Sequence, residues 1–160
     1  MFHKILVAID DSELSNQAFE QGISLAKAFQ ANLHLVHVLS PLKKEYEDAS
    51  ALAFGGGYYP EAFDEAMRER WQTLEEEGLE LLRTKAQQAT AAGVTAEFTQ
   101  MLGQPGEKIC ELAQSWDADL IIIGSHGRTG LNEFFMGSVS NHVSHHAPCS
   151  VMIVHHRNKQ

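Results

Sequence analysis

The sequence is poor in cysteine, in basic residues and in long apolar runs. Its two cysteines, Cys110 and Cys149, are far apart and have no metal-ligand spacing. A disulfide framework is therefore not expected, and a reducing compartment fits. Twelve Lys and Arg residues stand against 21 Asp and Glu residues, which gives a formal net charge of −9. Because nucleic acid and anionic membranes are bound by basic surfaces, this balance argues against both as main partners.

No segment reaches the roughly 20 apolar residues that a membrane helix needs. The apolar run at the N-terminus, residues 5–9, is too short for a secretory signal and stops at the acidic pair Asp10-Asp11. We therefore expect a cytoplasmic protein without membrane insertion. The length of 160 residues predicts a single domain over residues 1–160.

Short apolar runs alternate with segments of helical periodicity along most of the chain. These patterns predict strands over residues 5–9, 33–39, 94–101, 119–124 and 149–155. They predict helices over residues 13–30, 61–92, 105–116 and 130–146. Ser12 is the expected N-cap of the first helix, Gly78 a kink in the second, and Gly93 its end. Strands alternating with helices favour an α/β fold, with a parallel sheet covered by helices on both faces.

Residues 42–60 break this rhythm. They combine the charged Lys43-Lys44-Glu45 with the glycine run at residues 55–57. Neither side of the segment holds a complete core, so we expect a flexible excursion within one domain. The glycines lack the G-x-G-x-x-G spacing of a dinucleotide fingerprint.

Two segments leave predicted strands with residues suited to ligand binding. Asp10 follows the first strand, and Gly124-Ser125-His126-Gly127 follows the fourth. In such sheets, ligands bind at the carboxyl ends of strands where the strand order reverses. Gly137-Ser138 comes after nine further residues and would have to fold back beside Gly127. Together these segments could present backbone N–H groups and a hydroxyl to phosphates.

The run Gly124-x2-Gly127-x9-Gly137-Ser138 resembles the G-x2-G-x9-G-[ST] motif of the universal stress proteins, in particular their ATP-binding branch. Four further segments are similar to the same family and follow in the right order: residues 5–12, Leu35–Val38, Gly103-x-Pro105 and Pro148–Val151. The resemblance covers roughly residues 3–41 and 94–156. It implies a regulatory protein of the stress response that binds an adenine nucleotide and an unidentified protein partner, and that is not an enzyme in the ordinary sense.

The resemblance also implies a particular sheet and a particular site. The fold would be a five-stranded Rossmann-like sheet of the adenine nucleotide alpha hydrolase type, in the order 3-2-1-4-5, with its switch point between strands one and four. Asp10 and the Val38 backbone would hold the adenine and ribose end of ATP, ADP or AMP. Mg²⁺ or Mn²⁺ is expected with the phosphates of ATP. By motif position, the nucleotide would contact Ala8, Ile9, Asp10, Val38, Gly124, Ser125, His126, Gly127, Arg128, Thr129, Gly130, Gly137, Ser138, Val139 and Ser140.

The family pairs its last strand with a copy in a second subunit. In the implied order, the apolar strand Cys149–Val154 lies at an edge of the sheet, where unpaired backbone groups invite association. A homodimer through this strand is therefore expected, and its twofold symmetry would limit it to two copies.

Two alternatives remain open beside a binding module. A slow ATPase or phosphotransferase could use the same pocket, or the chain could be a dimerising or metal-binding module with a vacant one. No Walker, G-x-S-x-G or H-E-x-x-H motif occurs, and the sequence fixes no serine, cysteine or carboxylate beside His126. We therefore assign no catalytic residue. His142, His145 and His146 have helical spacing that can ligate zinc, copper or nickel, and His155-His156 follow soon after. A solvated helix face and chain end explain these histidines as well, so no metal ligand is assigned.

Overall fold

Apolar, β-branched strands and amphipathic helices alternate along the chain, as the sequence pattern predicts. The computed structural model describes residues 1–40, 61–126 and 136–156, with residues 61–64 described by their backbone only. The elements within these ranges are β1 (Lys4–Ala8), α1 (Glu13–Phe29), β2 (Asn32–Leu39), α2 (Glu61–Ala91), β3 (Ala96–Leu102), α3 (Pro105–Trp116), β4 (Leu120–Gly124), α4 (Ser138–His146) and β5 (Ser150–Val154). Among these helices, none is long and apolar enough to cross a bilayer.

The strands form one parallel sheet in the order β3-β2-β1-β4-β5. The predicted order is therefore confirmed. Central strands are buried on both faces, which explains their continuous apolar runs: Leu6 and Ile121, which pair across β1 and β4, are both fully buried. The chain moves outward from β1 to β3 and then returns to β4 on the other side of β1. This reversal separates the carboxyl ends of β1 and β4 and opens a crevice between the segments that follow them.

Helices cover both faces of the sheet. On one face, Ala18 and Phe19 of α1 pack with Leu82 and Ala89 of α2 in one apolar cluster. On the other face, Ile109 and Ala113 of α3 pack with Val143 of α4 in a second cluster. The predicted α/β class with helices on both faces is confirmed.

Local signals for the helix ends are confirmed. Ser12 caps α1, since its hydroxyl accepts a hydrogen bond from the N–H of Ser15 at 3.2 Å. Pro105 occupies the first turn of α3, where its missing N–H costs nothing. Gly93 follows α2 with φ of +82°, the left-handed conformation that ends a helix and favours glycine.

Gly78, the position of the expected kink, lies in a closely packed part of α2. The helix is continuous from Glu61 to Ala91. A Cβ at Gly78 would lie 2.6 Å from Nδ1 of His37, and closer still to Oε1 of Gln100. Glycine is thus needed because α2 lies almost in contact with the side chains of β2 and β3.

Two predicted boundaries are wrong. The last helix begins at Ser138 and not near residue 130, because Met136 and Gly137 are not helical and Gly137 is the N-cap. β3 begins at Ala96 and not at Val94, which is buried before the strand starts. Phe98 of β3 is 37% exposed because β3 is an edge strand that α2 covers incompletely.

Candidate functional site

The end of β1 is fixed by a buried serine. Ser15 in the first turn of α1 is only 5% exposed, and its hydroxyl accepts the N–H of Asp10 at 2.8 Å. The same hydroxyl lies 3.4 Å from the carbonyl oxygen of Ala8, to which it donates. The Asp10 carboxylate accepts the N–H of Ser12 through Oδ1 at 2.8 Å. Among the described residues, no protein donor binds its other oxygen, so Oδ2 is available to a ligand that offers hydroxyls.

The Val38 backbone faces the same crevice. The paired register of β1 and β2 ends with Ala8 opposite Val36, and the N–H of Ile9 donates to the Val36 carbonyl at 2.7 Å. Backbone groups alternate between the two edges of a strand, so Val38 directs its N–H and C=O to the same side as Val36. On that side of β2, Val38 lies beyond the last paired residue of β1. The Val38 backbone is therefore placed where a ligand could use it.

At the end of β4, the start of α4 folds back onto the strand. The N–H of Gly137 and the hydroxyl of Ser140 both donate to the carbonyl oxygen of Ser125, each at 2.6 Å. Ser140 is 1% exposed, so this hydroxyl is a structural link. A Cβ at Gly137 would lie 3.0 Å from Cα of His126, which only glycine avoids. The predicted site requires Gly137-Ser138 to fold back toward the glycine loop. The structure shows Gly137 returning to Ser125-His126.

The returning helix begins with N–H donors that its own backbone does not use. The N-cap of α4, Gly137, makes no side-chain capping bond, and the first intrahelical bond runs from the N–H of Asn141 to the Gly137 carbonyl. The N–H groups of Ser138, Val139 and Ser140 therefore have no acceptor within the helix. They carry the positive end of the helix dipole, an arrangement that binds phosphate in many proteins.

Close packing brings the two halves of the crevice together. Gly124 ends β4 directly against α1, and a Cβ there would lie 2.9 Å from Cβ of Leu14. The start of α1 is thereby held next to the end of β4. Asp10 and Ser12 immediately precede α1, so they are held there as well. This explains why glycine is needed at position 124 irrespective of any ligand.

His126 lies at the mouth of this site. Its Nδ1 is 3.2 Å from Oγ of Ser125, so the structure places a serine beside it that the sequence alone did not fix. Its ring centroid is 5.6 Å from that of His156, which follows β5. Ser125 itself is 3% exposed, and its N–H donates to the Val154 carbonyl at 2.8 Å.

The structure brings together most of the predicted site residues. Gly127, Arg128, Thr129 and Gly130 lie outside the described residues. Ile9 is buried, Ser140 is buried and donates its hydroxyl to the Ser125 carbonyl, and Ser138 is exposed. Sequence reasoning missed the role of Ser15, although the Ser-x-x-Ser spacing after β1 could have indicated two capping hydroxyls. It noted His156 among the C-terminal histidines but did not predict its contact with His126.

Several titratable groups elsewhere have altered pKa values. Burial lowers the pKa of His34 in β2, an effect that nearby Glu97 opposes. Backbone N–H groups of His3 and Lys4 lower the pKa of Asp119, which precedes β4. Burial raises the pKa of the thiols of Cys110 and Cys149, which disfavours the reactive thiolate. Within the described ranges, no group of three or more His, Cys, Asp or Glu side chains could hold a metal ion.

Fold and crevice together define an α/β protein with a Rossmann-like parallel sheet and a crevice at its topological switch point. The sequence model of the universal stress protein family matches residues 1–155. A universal stress protein of Synechocystis is 37% identical over 158 residues, which is 97% of this chain and 99% of that protein. A universal stress protein of Bacillus subtilis is 37% identical over 154 residues, which is 96% of this chain and 99% of that protein. The chain belongs to the universal stress protein family.

Solved structures of this family share the fold. The universal stress protein of Lactobacillus plantarum superposes with a TM-score of 0.76 at 24% identity, covering 96% of this chain and 97% of that one. An Arabidopsis thaliana member with bound AMP superposes with a TM-score of 0.66 at 22% identity, covering 98% of this chain and 93% of that one. An Archaeoglobus fulgidus member in complex with dAMP superposes with a TM-score of 0.60 at 18% identity, covering 96% of this chain and 98% of that one.

Proposed function

We propose that this protein binds an adenine nucleotide in the crevice between the ends of β1 and β4, and acts as a regulatory protein in the stress response. Nucleotide occupancy would change a surface that a protein partner recognises. The observation that carries the proposal is the return of α4 onto Ser125. It sets the N–H groups of a helix start, which have no acceptor within the helix, across the switch point from the Asp10 carboxylate.

The two ends of the crevice suit the two ends of a nucleotide. Asp10 Oδ2 is an acceptor for ribose hydroxyls, and the Val38 backbone offers one donor and one acceptor to a base edge. The start of α4 offers donors to phosphate. The AMP and dAMP held by the two solved relatives support an adenine nucleotide as the ligand class. We propose ATP as well as AMP or ADP, with Gly127, Arg128, Thr129 and Gly130 completing the phosphate contacts.

A divalent ion is part of the proposal for ATP alone. Charge compensation is needed because the chain carries a formal net charge of −9. Mg²⁺ and Mn²⁺ prefer oxygen ligands and retain several waters, so phosphate oxygens would supply most of the coordination. No described residue is assigned to this ion.

We also propose that turnover is negligible. Ser125 and His126 lie within hydrogen-bond reach, which is the one observation that favours a slow ATPase or phosphotransferase. However, Ser125 is 3% exposed, and within the described residues no carboxylate contacts the ring of His126. An activated nucleophile needs both access and a group that orients its base. Steady phosphate release that His126→Ala abolishes would favour the enzyme instead.

The homodimer through β5 remains a proposal. β5 lies at the edge of the sheet, and Val151, Met152, Ile153 and Val154 are each only partly buried. Pairing this strand with a second copy about a twofold axis would satisfy its outer backbone groups and cover apolar surface.

Isothermal titration with ATP, ADP, AMP and GTP tests the proposed nucleotide site. Asp10→Asn keeps an acceptor for the Ser12 N–H but removes the charge and weakens acceptance from ribose. We expect it to weaken adenine-nucleotide binding by about tenfold, the value of one charged hydrogen bond. Asp119→Asn is the matched control, since it removes the same charge from a carboxylate at the opposite end of the sheet. Absence of binding by every adenine nucleotide would refute the proposal.

A further inference from the structure

We propose that His126 and His156 form a binding site for a borderline divalent transition-metal ion such as Zn²⁺. The site lies at the phosphate end of the crevice, and its open coordination positions face the ligand. The metal site itself stands apart from the proposed function. Its link to nucleotide binding rests on that function.

The sheet register brings these two histidines together. Gly124 of β4 pairs with Val154 of β5 in the last step of the parallel ladder, and Ser125 continues it through its bond to Val154. His126 and His156 each lie two residues beyond that last pair. Parallel neighbours in register project their side chains on the same side, so the two rings meet. His155 lies one residue earlier, where side chains project to the opposite side.

The ring separation fits a shared metal ion. With Zn–N bonds of about 2.0–2.1 Å, an imidazole centroid lies about 3.2 Å from the metal, and a tetrahedral angle separates two such centroids by about 5.2 Å. The observed separation between the His126 and His156 centroids is 5.6 Å. The difference is small, and His156 is exposed and can rotate to close it. By contrast, the rings of His142 and His146 are stacked 4.2 Å apart at 18°, which is closer than two imidazoles on one tetrahedral ion would lie.

The first ligand is held in place before the metal arrives. The His126 backbone is confined by Gly137, where an added Cβ would touch it at 3.0 Å. Its Nδ1 lies 3.2 Å from the hydroxyl of buried Ser125. When Nδ1–H donates to that hydroxyl, Nε2 carries the lone pair that a metal requires, which is the usual arrangement around metal-binding histidines. Imidazole nitrogens suit Zn²⁺, Cu²⁺ and Ni²⁺, and do not suit Mg²⁺.

Two imidazoles leave two positions of a tetrahedral ion open. Water fills them in the absence of ligand. If a nucleotide binds as proposed, its terminal phosphate oxygens would reach the start of α4, next to His126, and could replace that water. Metal and nucleotide would then favour each other's binding.

Titration of the nucleotide-free protein with ZnCl₂ tests the pair directly. We expect His156→Ala to weaken one Zn²⁺ site by at least about tenfold, because even an outer-shell change costs about 10- to 100-fold. His155→Ala is the matched control and should bind as the native chain does, with the histidines of α4 as a constant background. Mg²⁺ should not compete. A native Zn²⁺ isotherm that His156→Ala leaves unchanged would overturn the proposal.

Titration with AMP separates the metal site from the proposed function. AMP binding to metal-free protein tests the nucleotide site alone. Zn²⁺-loaded native protein should bind AMP at least about fivefold more tightly than metal-free protein, and His156→Ala should lose this gain. Equal AMP affinity with and without Zn²⁺ would overturn the link between the two ligands.

Discussion

Replacing Gly137 with alanine should weaken the proposed nucleotide binding, because it should displace the start of α4. The new Cβ would lie 3.0 Å from Cα of His126 and 3.3 Å both from its Cβ and from the Ser125 carbonyl oxygen. Carbon contacts are most favourable at about 3.5–4.0 Å, so the start of α4 must move away by about half an ångström. The two 2.6 Å bonds to the Ser125 carbonyl would lengthen together.

The expected cost is divided between stability and binding. Overpacking of this size costs about 1–3 kcal/mol of the free energy of unfolding. The displaced N–H groups of α4 would no longer align with phosphate, and losing one charge-assisted bond of about 1.5–3 kcal/mol weakens binding by about tenfold or more. Urea unfolding and isothermal titration with ATP measure the two effects separately.

Gly93→Ala is the matched control for this prediction. Gly93 has φ of +82° and nothing within 4 Å of a new Cβ, so its cost is backbone strain alone, about 1–2 kcal/mol. Both variants should lose comparable stability, but Gly93→Ala should retain native affinity for ATP. If Gly137→Ala also bound ATP like the native chain, α4 would not supply phosphate contacts, and the reasoning would be refuted.

Three other contacts can be tested by single substitutions. Ser15→Ala should lower the free energy of unfolding by about 1–3 kcal/mol, since it leaves the buried N–H of Asp10 without its acceptor; unchanged urea unfolding would contradict this. Burial lowers the pKa of His34, so the unfolded chain takes up the proton more readily. The free energy of unfolding should therefore fall as the pH drops below about 6.5, and it should fall less steeply in His34→Gln. If the urea midpoints of the native chain and of His34→Gln changed equally with pH, the result would argue otherwise. Ile153→Pro should convert a native dimer into monomers or aggregates in sedimentation, because it removes a ladder donor on each subunit; a native chain that sediments as a monomer would exclude pairing through β5.

Local chemistry along the chain is enough to predict the secondary structure and the neighbourhood of the site. Continuous apolar runs such as that of β4 indicate strands buried on both faces, and Ser12, Pro105 and Gly93 mark helix ends without help from distant residues. Asp10 can be assigned to the crevice for a similar reason, because the carboxyl end of a strand is a property of chain direction. The family resemblance supplies the strand order, which the local patterns leave open.

Which residues meet across the crevice depends on tertiary packing. The glycine at position 78 predicts a kink from local composition, whereas its close packing against His37 and Gln100 of β2 and β3 is encoded by no local pattern. Helical periodicity predicts a start of α4 near residue 130, because it does not show that Gly137 binds Ser125. The pairing of His126 with His156 depends on the register of β4 and β5. Register is set by packing between elements that are distant in sequence, and periodicity within one element cannot reveal it.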